Sequence, residues 1–155
     1  MIDICLAGTG GTIPLKNRWL SSCFIEYLGK AALIDCGEGT QIALSQSNCK
    51  ISKLDILIIT HFHADHISGL PGLLLTLGNT GKLTPLKIYG PSGIMDVVNK
   101  LRCICPVLPY ELEIIELDII QTSRFEWNGI QVSSLPLLHN IPCLGFSFVL
   151  KRKPV

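Results

Sequence analysis

Histidine and charge are both scarce in this chain. Only four of its 155 residues are histidine and only 16% are Asp, Glu, Lys or Arg, where an ordinary soluble domain carries roughly a quarter. A formal net charge of +1 excludes a general electrostatic pull on nucleic acid, so any polyanion site has to be a local feature. Long apolar runs are missing as well. None reaches the ~18 residues that span a bilayer, because the longest, Leu135 to Leu150, is interrupted by His139, Asn140 and Pro142; no membrane partner is expected. Paired C-x-x-C clusters are also lacking. Seven cysteines, an odd number, are scattered at positions 5, 23, 36, 49, 103, 105 and 143, which argues against a disulfide framework and against a Cys-based zinc finger. They are expected to be reduced and mostly buried. The opening MIDICLAGTG has no basic stretch ahead of an apolar one, unlike a secretory signal, so a cytoplasmic location is the expectation.

Aliphatic side chains, in contrast, are plentiful. Hydrophobic residues make up 48% of the chain and mean hydropathy is +0.44, enough for the core of one domain, with some apolar surface expected to need a partner. Ile2 to Leu6, Cys23 to Tyr27 and Ala31 to Ile34 read as strands, the last two joined at Leu28-Gly29-Lys30. Leu54 to Thr60, LDILIIT, has the unbroken β-branched character of a strand buried on both faces. Helices are expected at Gly39 to Gln46, Ser68 to Leu77 and Ile94 to Cys103, and strands at Leu86 to Tyr89 and Tyr110 to Leu117. Phe125 to Leu138 turns at Asn128-Gly129, a strong hairpin signal, and Leu144 to Leu150 reads as a final strand. The whole is an α/β layered arrangement.

Three of the four histidines and one carboxylate fall within His61 to His66, in Thr60 to His66, THFHADH. At the end of an extended strand His61 and His63, two apart, point the same way and can reach one metal ion. Asp65 and His66 follow where the chain bends into a helix and can reach a second. Two ions roughly 3.5–4 Å apart can acidify a bridging water and clamp both oxygens of a displacement, so hydrolysis is the expected chemistry. His139, at the end of LeuProLeuLeuHis, carries no local mark of a ligand, but the site needs a third nitrogen. Asp35 reads either as a hydrogen-bond partner that orients a ligating histidine or as an Asx-type turn residue at a strand end.

HFHADH resembles the H-x-H-x-D-H signature of the metallo-β-lactamase superfamily, which is specific for the fold and not for the substrate. Within it the chain is similar to the ribonuclease Z family, on GTGGTIPLKNR at Gly8 to Arg18, DCGEGTQ at Asp35 to Gln41, DHISGLPGLL at Asp65 to Leu74 and LPLLHNIPCLGF at Leu135 to Phe146. The resemblance implies the amino-terminal half of an αββα sandwich, a mixed sheet with flanking helices. It implies that His61, His63 and His139 hold one Zn2+, that Asp65 and His66 help to hold a second, and that Asp65 faces the attacking water. Pro14, Lys16 and Arg18 match the family's P-x-K-x-R loop, which approaches the tRNA acceptor end; a cationic pair suits phosphate, although two exposed charges alone read as solvated. The implied substrate is precursor tRNA, cut to remove its 3′ trailer, with no DNA partner.

Three departures, Ala64, Asn140 and Phe146, remove no ligand. A larger one is that no Asp or His follows His139, so the bridging aspartate, last ligand histidine and further catalytic histidine of the family cannot be placed. Residues 1–155 are therefore expected to be the first part of one domain, weakly active or inactive alone, holding about one zinc and associating through an exposed sheet face, as a homodimer or with another chain. Two alternatives stand beside this: a hydrolase of a small ester, lactam or thioester on the same fold, and a non-catalytic metal-binding half-domain.

Overall fold

Alternation along buried strands gives this chain two cores. The structure, a computed structural model, describes residues 1–151. Strand β4, Leu54–Ile58, lies between β3, Lys30–Ile34, and β5, Leu86–Pro91, in a six-stranded sheet. The sheet begins with β1, Ile2–Gly8, and β2, Ser22–Tyr27, and ends with β6, Leu112–Leu117. Strands β1 to β3 pair antiparallel and β3 to β6 parallel, so the sheet is mixed.

On one face Leu33, Leu57 and Ile88 meet the helices. These are α1, Thr40–Gln46, α2, Ala64–Ile67, α3, Leu70–Asn79, and α4, Ile94–Leu101. Helix α3 buries Leu70, Leu73, Leu74 and Leu77, the i, i+3, i+4, i+7 stripe of an amphipathic helix, and Pro71 sits in its first turn, where no amide proton is needed. On the other face Ile56, Ile58 and Tyr89 pack against a second sheet through Trp127, Ile130, Val132 and Leu144.

That second sheet is antiparallel: β7, Arg124–Trp127, β8, Ile130–Leu137, and β9, Cys143–Val149. Asn128 and Gly129 both have positive φ, 51° and 81°, as a two-residue type I′ hairpin requires. The layers run helices, six-stranded sheet, three-stranded sheet, and the far side of the last leaves Leu135, Leu137 and Val149 exposed.

Several boundaries differ from expectation. The strand expected over Leu54 to Thr60 ends at Ile58, because Thr60 turns towards Asp35. The helix expected at Ser68 to Leu77 is preceded by the separate turn of α2, and α4 gives way to a 3-10 turn at Arg102–Ile104. All seven cysteines are free, but only Cys36 and Cys105 are buried; Cys103 is exposed and the other four are half-buried. The expectation of mostly buried thiols is corrected, since Cys5, Cys23 and Cys49 lie at the margins of the two cores and are only partly covered. Among the described residues no helix is long and apolar enough to cross a membrane.

Leu57 touches both the helix layer and its neighbouring strands with no exposed surface. Leu57→Ala is expected to cost about 2–5 kcal/mol in urea unfolding, whereas Leu135→Ala, on the open face, should stay within about 0.5 kcal/mol.

Candidate metal centre

The histidine turn is held by the residues that precede and follow it. Asp35, the residue after β3, has φ 60°, a left-handed conformation that Asp tolerates better than most side chains. Its amide donates to the Ile58 carbonyl at 2.8 Å, and its carboxylate turns inward beneath the loop that follows β4. There Oδ1 accepts the Thr60 amide at 2.8 Å. The Thr60 hydroxyl reaches both oxygens, at 3.0 and 2.9 Å, and His66 Nδ1 lies 2.7 Å from Oδ2. The partners are 25 and 31 residues away, so the carboxylate acts across the fold and not in a local Asx turn.

Close backbone contact makes this possible. The Cys36 amide donates to the His66 carbonyl at 2.7 Å and the Gly69 amide to the Cys36 carbonyl at 2.9 Å. A Cβ on Gly37 would run into the Asp65 carbonyl, and one on Gly69 into the Gly37 carbonyl. The two glycines therefore let the DCGEG turn lie directly on α2.

His61 is buried, His63 is the extended residue that opens α2 (φ −66°, ψ 144°), and Asp65 and His66 lie within that helix. His139 comes from the link between β8 and β9. That link is tied down by the Leu144 amide, which donates to the Thr60 carbonyl at 3.0 Å. The result is an open cleft of about 570 Å³ lined by Thr12, the four histidines, Ala64 and Asp65.

His61, His63 and His139 each offer a ligand atom, all within 4.8 Å of one another, in a cluster that could hold a metal ion. His63 Nδ1 and His139 Nε2 are 3.2 Å apart. Two nitrogens sharing one tetrahedral ion at about 2.0–2.1 Å stand about 3.3 Å apart, so the spacing fits a shared ion. His66 Nε2 lies 3.6 Å from Asp65 Oδ2, and the His61 and His66 rings are 4.0 Å apart, which puts the Asp65–His66 pair beside the trio.

Electrostatics favour a cation. Burial, with the neighbouring His66, holds His61 below the usual imidazole range, so it is neutral and able to ligate near neutral pH. The Thr12 amide, 3.0 Å from Asp65 Oδ2, is the main cause that holds the Asp65 carboxyl below the usual range. Burial pulls His66 down, but the hydrogen bond and charge of Asp35 and the charge of Asp65 outweigh it and the net shift is upward.

All five expected ligands and Asp35 therefore meet in one place. Pro14, Lys16 and Arg18 lie in an exposed segment that begins at Thr12. Arg18 donates from Nη2 to the Thr9 carbonyl at 2.8 Å, and Leu15 and Arg18 exchange backbone hydrogen bonds at 3.0 and 3.3 Å around Asn17, whose φ is 63°. Two contributors were not evident from sequence. Thr60 stands next to the first histidine, a signal that adjacency alone could have given, and Thr12 acts through its backbone amide, for which no sequence signal exists.

The sequence model of the family described as "Anti-Pycsar protein Apyc1" matches residues 2–153. A protein named Ribonuclease Z from Agathobacter rectalis is 51% identical over 152 residues, 98% of this chain and 50% of the relative. The chain thus spans about half the length of the curated relatives it matches. The crystal structure of human tRNase Z, short form, superposes with a TM-score of 0.84 at 30% identity, covering 97% of this chain and 65% of that one. The metallo-β-lactamase fold protein YhfI from Bacillus subtilis gives a TM-score of 0.77 at 22% identity over 96% of this chain and 58% of its own. The fold is that of the metallo-β-lactamases.

Replacing Asp35 by Ala leaves the Thr60 amide, the Thr60 hydroxyl and the His66 ring without their acceptor. Asp35→Ala is expected to lower the stability of the metal-free protein by about 1–3 kcal/mol, read as a shift of the urea midpoint at unchanged slope; an unshifted midpoint would contradict the assigned network.

Proposed function

The chain belongs to the anti-Pycsar protein Apyc1 family, and we propose that it supplies the amino-terminal half of a zinc-dependent endoribonuclease of the ribonuclease Z type, which removes 3′ trailers from precursor tRNA. The observation that carries this reading is the convergence of three imidazoles with an adjacent Asp–His pair on the wall of one open cleft. Identity of 51% to a ribonuclease Z across 98% of the chain supports RNA over a small ester, lactam or thioester as substrate.

In this reading His61, His63 and His139 hold one zinc, and Asp65 and His66 contribute to a second site. When bound, such ions supply positive charge against a scissile phosphate and make water more acidic. The chain's own groups do the rest. Asp65, kept ionised by the Thr12 amide, orients water towards the phosphorus. Asp35 fixes His66, and burial keeps His61 neutral. Lys16 and Arg18 meet the acceptor-end phosphates, Arg18 from a guanidinium already braced on Thr9, and Pro14 stiffens the loop between them and the cleft.

Residues 1–155 are then the first part of a single metallo-β-lactamase-like domain in the cytoplasm, with the remaining ligands supplied by the length of the relatives it does not span. The exposed Leu135, Leu137 and Val149 suit association with that second part or with another copy. Alone, the chain binds about one zinc tightly and cleaves weakly or not at all.

Incubation of the chain with zinc and a precursor tRNA carrying a 3′ trailer is expected to release the trailer slowly at most, with any release abolished by His63→Ala and by chelation, and robust processing would contradict the reading of a half-domain. Faster hydrolysis of a thioester or lactam than of the RNA, or cleavage that survives His63→Ala, would overturn the proposal.

A further inference from the structure

Thr60 joins the end of β3, the histidine turn and β9, yet neither the ligand set nor the substrate loop uses its side chain. Its amide donates to Asp35 and its carbonyl accepts from Leu144. Its hydroxyl is a separate matter. Oγ1 lies 2.9 and 3.0 Å from the two Asp35 oxygens and 2.9 Å from His61 Nδ1.

A hydroxyl has one proton to donate and lone pairs to accept with, and a carboxylate can only accept. The Thr60 proton therefore goes to Asp35, and the Nδ1 of His61 must bring its own proton to Oγ1. His61 is left with its lone pair on Nε2. His66, donating from Nδ1 to Asp35 Oδ2 at 2.7 Å, is left with its lone pair on Nε2 as well. One carboxylate thus sets the tautomer of two histidines, of His66 directly and of His61 through Thr60.

We propose that the Thr60 hydroxyl is a positioning group that holds His61 as the Nδ1-protonated tautomer, ready to ligate through Nε2, and so ties the three-histidine site to the Asp65–His66 pair through Asp35. The inference rests on the metal-binding reading above for its purpose, but not for its proton arrangement. Valine has the same shape as threonine and the same branching at Cβ, so Thr60→Val retains both backbone hydrogen bonds and removes only the relay. Serine restores the hydroxyl without the methyl group.

The test is nitrogen NMR of the histidine rings in the metal-free chain at about pH 8, where an ordinary imidazole is neutral, together with zinc titration against a chromophoric chelator. Wild type and Thr60→Ser are expected to show His61 protonated on Nδ1, and Thr60→Val to shift it towards Nε2. Zinc binding should weaken by about 10- to 100-fold in Thr60→Val, the range for loss of a partner that orients a ligating histidine, with Thr60→Ser close to wild type. An Nε2-protonated His61 in the wild type overturns the inference by itself, whether or not Thr60→Val folds, and an Nδ1-protonated ring there supports it. Unchanged zinc affinity in a folded Thr60→Val overturns it while leaving the metal reading intact. An Nδ1-protonated His61 in a wild-type chain that takes up no zinc supports the relay and removes the metal reading instead.

Discussion

One buried carboxylate holds the cleft together. Taking a charge out of water is costly unless hydrogen bonds replace its hydration, and Asp35 receives them from Thr60 and His66. Those donors belong to the loop after β4 and to α2, while Asp35 itself follows β3. Satisfying this single group therefore fixes three segments relative to one another. The Leu144 amide on the Thr60 carbonyl extends the same anchor to the second sheet, which carries His139.

Three imidazoles converge in a cluster that could hold a cation. The rings of His61, His63 and His139 stand 4.8 to 4.9 Å apart in edge-to-face pairs, and one ring nitrogen of each lies within 4.8 Å of the others. A divalent ion bound there would accept a lone pair from each ring. The glycine contacts at Gly37 and Gly69 let the backbone beside these residues pack closely.

The layered fold explains why so little charge suffices. Strands β3, β4 and β5 have an apolar layer on each side, so their sequences are nearly continuous hydrocarbon. The charges that remain lie mainly on the surface, as in the Lys30–Asp55 and Lys87–Glu113 pairs, or in the cleft. The faces of β1, with Ile4 and Leu6, and of the second sheet, with Leu135 and Leu137, keep apolar side chains exposed.

Much of this was legible in the sequence because the signals are local. The run Leu54 to Thr60 demanded a strand covered on both sides, Asn128-Gly129 demanded a tight hairpin, and His-x-His-x-Asp-His put four cleft residues within reach of each other by spacing alone. What depended on the fold was long-range. His139 is 76 residues from His63, and nothing in its own neighbourhood distinguishes a ligand from a surface histidine until β8 and β9 pack on the Thr60 turn. The role of Asp35 was open between a turn and a brace, because only the approach of α2 over Gly37 supplies the His66 ring. Thr12 reaches Asp65 through a backbone amide that every residue but proline possesses. Sequence determined which donor set the chain carries, since residue type and spacing define it; tertiary structure decided which nitrogen of His61 and of His66 faces the cleft, since that is set by hydrogen bonds that lead back to Asp35, far away in the chain.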